Sequence, residues 1–222
     1  QKSGPFDVSG SVARVWLCAP TNPNGRPNSE VLKPYWNGED ITGRPRDCWL
    51  IDLPRDMNER DVALYEFPFR YFLTAAYNPP DDPRTLREVR GEARDDRARK
   101  KWWEPYWPRP EMRRRIEVLK RYLVTAETSE HRIFVWLGHP IIPDKNLIVI
   151  SRADDEMFGI MNGRIHEIWS TQHGNRMGKG NQRRYNNSVT FETFPFPEGL
   201  TPNLPAASYA DDPRAQRIAA AA

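Results

Sequence analysis

At 222 residues and 25.9 kDa the chain has room for one large domain or two small ones, with 38% hydrophobic and 28% charged residues. A net charge of +3 is too mild to establish a nucleic-acid partner by itself, so distribution must decide. Eight Trp, eight Tyr and nine Phe exclude a disordered chain, and no apolar run reaches the ~18 residues of a membrane span.

In chain order, Val12 to Leu17 reads as a strand, followed by a loop dense in turn formers over 20–28. A second turn-rich stretch, 36–46, leads to a strand over Cys48 to Leu53. The two cysteines, Cys18 and Cys48, have no CxxC partner and read as a buried pair of free thiols, which suits a reducing cytoplasm. From Asn58 the spacing of Val62, Leu64, Tyr65, Phe69, Phe72 and Leu73 predicts a capped helix that Pro68 should kink. Residues 83–103 read as one long arginine-rich helix, and a short helix carries Arg113, Arg114 and Arg115. Strands are predicted over 122–125, 133–137 and 147–150. Asp154-Asp155-Glu156 should cap a single helix to about Gln172, with Met157, Ile160, Met161, Ile165, Ile168 and Trp169 inward. A short strand is expected over Val189 to Phe191, and a linker from Pro202. The sum is an α+β fold with an irregular, mostly antiparallel sheet and a basic helical insertion. Its expected parts are a β-rich first part (1–57), the insertion (58–118), a main subdomain (119–200) and a linker (201–222). Gln1 and the Ala219 to Ala222 end read like the borders of a piece of something longer.

Candidate chemistry is sparse. Asn78-Pro79-Pro80-Asp81 resembles the Asn-Pro-Pro-aromatic motif of amino-methyltransferases, but Asp81 replaces the aromatic that would stack on a flipped base, and no Gly-rich cofactor loop lies upstream. A helix-ending loop is the better reading. Pro143-Asp144 lacks a following Glu-x-Lys, and His131, His139, His166 and His173 show no metal-ligand spacing. Neither a catalytic centre nor a metal site is therefore expected. In the 84–101 stretch, Glu88, Glu92, Asp95 and Asp96 interleave with the arginines, as on a solvated, ion-paired face; phosphate contact or docking stays open beside that. Trp102 and Trp103 read as core anchors.

The segment 178–187 differs from an ordinary polar loop, because it holds no acidic residue. Guanidinium and amide groups pair in bidentate fashion with guanine and adenine edges, while lysine binds phosphate. Base readout is therefore assigned to Gly180, Gln182, Arg183, Arg184 and Asn186. Backbone contacts are assigned to Lys179, Asn181, Tyr185, Arg44, Arg46, Arg132 and Lys145.

An ordered series of motifs spans nearly the whole chain. It runs Arg26-Pro27-Asn28-Ser29, Trp36-Asn37-Gly38-Glu39-Asp40-Ile41, Arg44-Pro45-Arg46 and Trp49-Leu50-Ile51-Asp52, then Trp102-Trp103 and Arg109-Pro110-Glu111-Met112-Arg113. His131-Arg132, Pro143-Asp144, Phe158-Gly159-Ile160-Met161, Ile165-His166, Gly180-Asn181, Arg184-Tyr185-Asn186 and Phe194-Pro195-Phe196-Pro197 complete it. The series resembles the target-recognition domain of MmeI-like type IIG/IIL restriction-modification DNA adenine methyltransferases. The resemblance implies specificity-setting positions at Gly180, Gln182 and Arg184, and double-stranded DNA and the parent's methyltransferase domain as partners. It also implies a non-catalytic fragment without a cofactor of its own. The parent would use S-adenosylmethionine, with Mg2+ and endonuclease activity left open. Two rivals remain: a protein-docking module built on the arginine helix and tryptophans, and a degenerate methyltransferase using Asn78-Pro79-Pro80.

Overall fold

A computed structural model describes residues 5–74, 83–105, 109–176 and 182–222. The chain opens with β1 (Asp7–Ser9), α1 (Gly10–Leu17), β2 (Leu32–Trp36), α2 (Gly38–Thr42) and β3 (Cys48–Ile51). Five helices follow: α3 (Glu59–Val62), α4 (Glu66–Phe72), α5 (Leu86–Gly91), α6 (Asp96–Lys100) and α7 (Pro110–Glu117). Then come β4 (Arg121–Ala126), β5 (Thr128–Ser129), β6 (Val135–Gly138), β7 (Ile142–Pro143) and β8 (Leu147–Ile150). The last elements are α8 (Asp155–Asn162), α9 (Arg164–His173), β9 (Asn175–Arg176), β10 (Arg183–Arg184) and α10 (Pro213–Ala221). The fold is α+β with small antiparallel sheets, and it divides into two units: residues 1–35 with 46–108, and 36–45 with 109–222. No helix among the described residues is long and apolar enough to cross a membrane.

In the first unit β3 lies between β1 and β2, with Leu50 opposite both Asp7 and Lys33. The expected strand over Val12 to Leu17 is instead α1. Ser9 caps it by accepting from the Val12 amide, and Ala13 and Trp16 are buried one turn apart. The loop 20–28 is tied to α1 and within itself: Asn28 Nδ2 donates to the Trp16 carbonyl (2.9 Å) and Asn22 Nδ2 to Asn28 Oδ1 (3.1 Å). Asn58 caps α3 as expected, but the helix breaks at 63–65 rather than kinking at Pro68. Pro68 occupies the first turn of α4, where a missing N–H costs no helical bond.

The arginine-rich stretch is two short helices. Its side chains are largely ion-paired within the unit: Arg84–Glu92 at 2.7 Å, Lys100–Asp96 at 2.8 Å and Arg97–Glu104 at 2.6 Å. Trp102 and Trp103, each 3% exposed, meet edge to face in the core. The two cysteines are not joined in a disulfide, yet Cys18 is exposed and Cys48 half-buried, so they are no buried pair.

The second unit is organised by β4, the central strand between β6 and β8. Tyr122 and Val124 point to one cluster, with Ile116, Leu137 and Leu147; Leu123 points to the other, with Phe134, Ile150, Met157 and Met161. Alternation along a strand thus buries both faces of β4. The single helix expected from Asp154 is two, because Gly163 is extended (ψ 149°) and Asn162 turns its side chain to the Phe134 backbone. That break resets the helical phase. Met157 and Met161 stay inward as expected, whereas Ile165 and Ile168 are 74% and 48% exposed and His166 is buried in their place. The residues expected to form a linker from Pro202 carry α10, which packs on α8 where Ile218 meets Gly159; Leu200, Tyr209 and Ala215 form its own small cluster.

Candidate nucleic-acid interface

The polar segment 178–187 is built on a β-hairpin. Strand β10 pairs antiparallel with β9 on one side (Arg183 with Arg176, Arg184 with Asn175) and with β5 on the other (Arg183 with Ser129, Arg184 with Thr128). Lys179, Gly180 and Asn181 fall between the two strands and outside the described residues, as does the Asn78-Pro79-Pro80-Asp81 segment. Gln182 is exposed just before β10.

Successive strand residues face opposite ways. Arg184 is therefore outward and Tyr185 inward, 2% exposed. The expected phosphate contact from Tyr185 is corrected: its hydroxyl donates to His166 Nε2 at 3.0 Å, and burial raises its pKa above the usual phenol value. His166 is fully buried and donates from Nδ1 to the Met161 carbonyl (2.9 Å), which fixes the tautomer that accepts from Tyr185. Burial pushes the imidazole pKa down to about 4, so it is neutral at physiological pH.

Arg132 also turns inward. Its guanidinium donates to Thr125 Oγ1 (2.9 Å), to the Ala126 carbonyl and to the Arg183 carbonyl (3.0 Å), and lies 5.0 Å from the Tyr185 ring centroid. Burial lowers its pKa to about 10, leaving it charged. Three of its five N–H donors thus brace β10 against the end of β4, and the half-buried side chain also lines the cleft described below. Below the hairpin, Gly174 links α9 to β9 in a space with no room for a Cβ: one would sit 2.6 Å from the Ser170 carbonyl oxygen and 2.9 Å from that of Arg184.

The remaining assigned residues are placed as follows. Arg183 is half-buried and lines a cleft of about 420 Å³ with Glu130, Arg164, Thr171 and Gln172, among others. Arg184 is ion-paired with Glu127, Nε at 2.8 Å and Nη2 at 2.6 Å from the same carboxylate oxygen. Asn186 spends its amide oxygen on a cap, accepting from the Ser188 amide and hydroxyl (3.1 and 2.8 Å). The strand expected at Val189 to Phe191 is a π-helical turn over Asn187–Phe191, started by that cap. Lys145 is exposed in the turn between β7 and β8, and the Asn146 carbonyl of that turn accepts from the Glu127 amide at 2.8 Å. Arg44 is exposed after α2 in the second unit, whereas Arg46 is half-buried in the first. The structure therefore brings Arg184 onto Glu127, with the turn that carries Lys145 meeting the Glu127 backbone through Asn146. Glu127, Thr171 and Gln172 carry no sequence signal, because their place beside β10 depends on pairing across the fold. Among the described residues no three His, Cys, Asp or Glu side chains are grouped to hold a metal ion.

A family model described as "MmeI, target recognition domain" matches residues 82–198, more than half of the 222. The chain belongs to the MmeI target recognition domain family. The match contains β4 to β10, and with them the hairpin, its Arg132–Tyr185–His166 anchor and Glu127. The target recognition domain is also similar in fold to a solved structure of the type IIL restriction-modification enzyme MmeI in complex with DNA. The TM-score is 0.56 at 16% sequence identity, over 87% of this chain and 23% of that one. The chain thus spans less than a quarter of the length of that enzyme. No curated protein matches it.

Proposed function

We propose that this target recognition domain reads a DNA sequence with the β9–β10 hairpin, entering the major groove with exposed Gln182 and Arg184 and with half-buried Arg183 beside them. The carrying observation is that Gln182 and Arg184 are exposed on and beside a strand held from beneath by half-buried Arg132 and by buried Tyr185 and His166. A reader must hold its donors in place before contact, since ordering long side chains on binding costs affinity. Lys145, Arg44 and Lys179 would contact phosphates and set register, with no sequence preference of their own. The domain would do no chemistry. It would position the duplex so that a methyltransferase elsewhere in a larger protein, using S-adenosylmethionine, methylates one flipped adenine; cleavage by that protein would add Mg2+.

The solved MmeI structure holds DNA, which supports a duplex as the partner here. A docking role finds its support on α9, where Ile165 and Ile168 face outward; the tryptophans named for that role are core residues. Selection of duplexes from a randomised pool by the 222-residue chain tests the proposal. Enrichment of one defined sequence is expected; recovery no different from the starting pool sinks it. Measurable S-adenosylmethionine affinity in a parallel titration would instead favour the methyltransferase reading of Asn78-Pro79-Pro80.

A further inference from the structure

We infer that Glu127 is a positioning residue that sets the base preference of Arg184, an inference that rests on Arg184 being a base reader. An arginine on an exposed strand samples many rotamers and can meet a phosphate as readily as a base. Here one oxygen of Glu127 accepts from both Nε (2.8 Å) and Nη2 (2.6 Å) of Arg184, which fixes the guanidinium plane. Guanidinium carries five N–H donors. Two are turned to the carboxylate, and the Nη1 edge with the second Nη2 hydrogen is left as an outward fork. That fork matches the adjacent O6 and N7 acceptors of guanine, while adenine and cytosine would set an amino donor against it.

Glu127 is itself held on both sides. Its amide donates to the Asn146 carbonyl (2.8 Å), and its carbonyl accepts from the Tyr185 amide (2.7 Å). The carboxylate side chain is 25% exposed against 46% for Arg184, so the pair is partly withdrawn from water and less screened than a free surface pair. The acid therefore aims the arginine rather than merely neutralising it. Any removal of the acid should cost selectivity at one base pair, not affinity at all of them.

The test measures binding of the 222-residue chain to its selected duplex and to the three variants at the base pair that Arg184→Ala relaxes. Glu127→Ala should lower discrimination there by roughly 3- to 10-fold, a part of what a bidentate arginine–guanine contact supplies. Glu127→Gln, which keeps shape and one acceptor, should fall between wild type and Glu127→Ala. In the double variant Glu127→Ala should add no further loss to Arg184→Ala, and affinity for unrelated duplexes should hold or rise as a negative charge leaves. If discrimination stays unchanged while every duplex binds more tightly, Glu127 only competes with phosphate and the inference is overturned. It is equally overturned if selectivity drops at all positions alike. Should Arg184→Ala relax no position, the reading of Arg184 fails, and the role of Glu127 with it.

Discussion

Replacing Arg132 with methionine keeps roughly the length of the half-buried stem and removes every donor that braces the hairpin. Three hydrogen bonds are lost, to Thr125 Oγ1, the Ala126 carbonyl and the Arg183 carbonyl, together with the face-on contact to Tyr185. Hydrogen bonds from a charged donor contribute about 1.5–3 kcal/mol each. Against this, withdrawing the guanidinium from water costs several kcal/mol, a penalty visible in its pKa of about 10. The net loss should be about 2–4 kcal/mol, or roughly 5–15 °C in Tm for a chain of this size. Lysine at the same position can reach one or two of the three acceptors and should recover less than half. Urea unfolding followed by tryptophan fluorescence gives the stability, and hydrogen exchange of the Tyr185 amide, which donates to the Glu127 carbonyl, reports on β10 directly. Faster exchange there, ahead of the central β4 amides, is expected. A loss below about 0.5 kcal/mol with unchanged protection at Tyr185 would show that Arg132 does not brace the hairpin.

Two further predictions concern the same support. Gly174→Ala should destabilise the chain by about 1–3 kcal/mol through overpacking against two backbone carbonyls; a Tm equal to wild type would mean the α9–β9 junction yields without strain. His166 has a folded pKa near 4 against 6.5 for the free side chain, so the unfolded chain takes up a proton first. Its contribution is complete above about pH 6.5 and declines as pH falls toward 4, at up to about 1.4 kcal/mol per pH unit and about 3 kcal/mol in all. Urea midpoints of wild type and His166→Gln should therefore converge as pH drops from 7 to 4.5, and parallel curves would contradict a buried neutral imidazole.

Features set by neighbouring residues were legible in the sequence. The apolar run Leu147 to Ile150, the strand after Lys120, and the caps at Asn58 and Asp154 all appear where local pattern puts them. Misreadings arose where a single residue resets a period. Gly163 rotates α9 so that Ile165 and Ile168, in phase with α8, face solvent. The mostly apolar run Val12 to Leu17 reads as a strand until Ser9 is seen capping it. At the site, the chemistry of Arg183 and Arg184 was readable from residue type, but the division of labour was not. Tyr185 and Arg132 are as polar as their neighbours in sequence. Only contacts across 19 residues to His166 and 51 residues to Arg183 turn them into an anchor. Asn186, equally suited to adenine by type, is engaged as a cap two residues from its partner.

In this reading the hairpin reads bases while lysines only hold the backbone. Sequence selection should therefore be repeated with Arg184→Ala and with Lys179→Ala. Arg184→Ala should relax one base position and cost roughly 1–3 kcal/mol on the selected duplex. Lys179→Ala should weaken all sequences alike and reduce the salt slope by about one. Identical base preferences in wild type and Arg184→Ala, with affinity lost evenly over all duplexes, would contradict it.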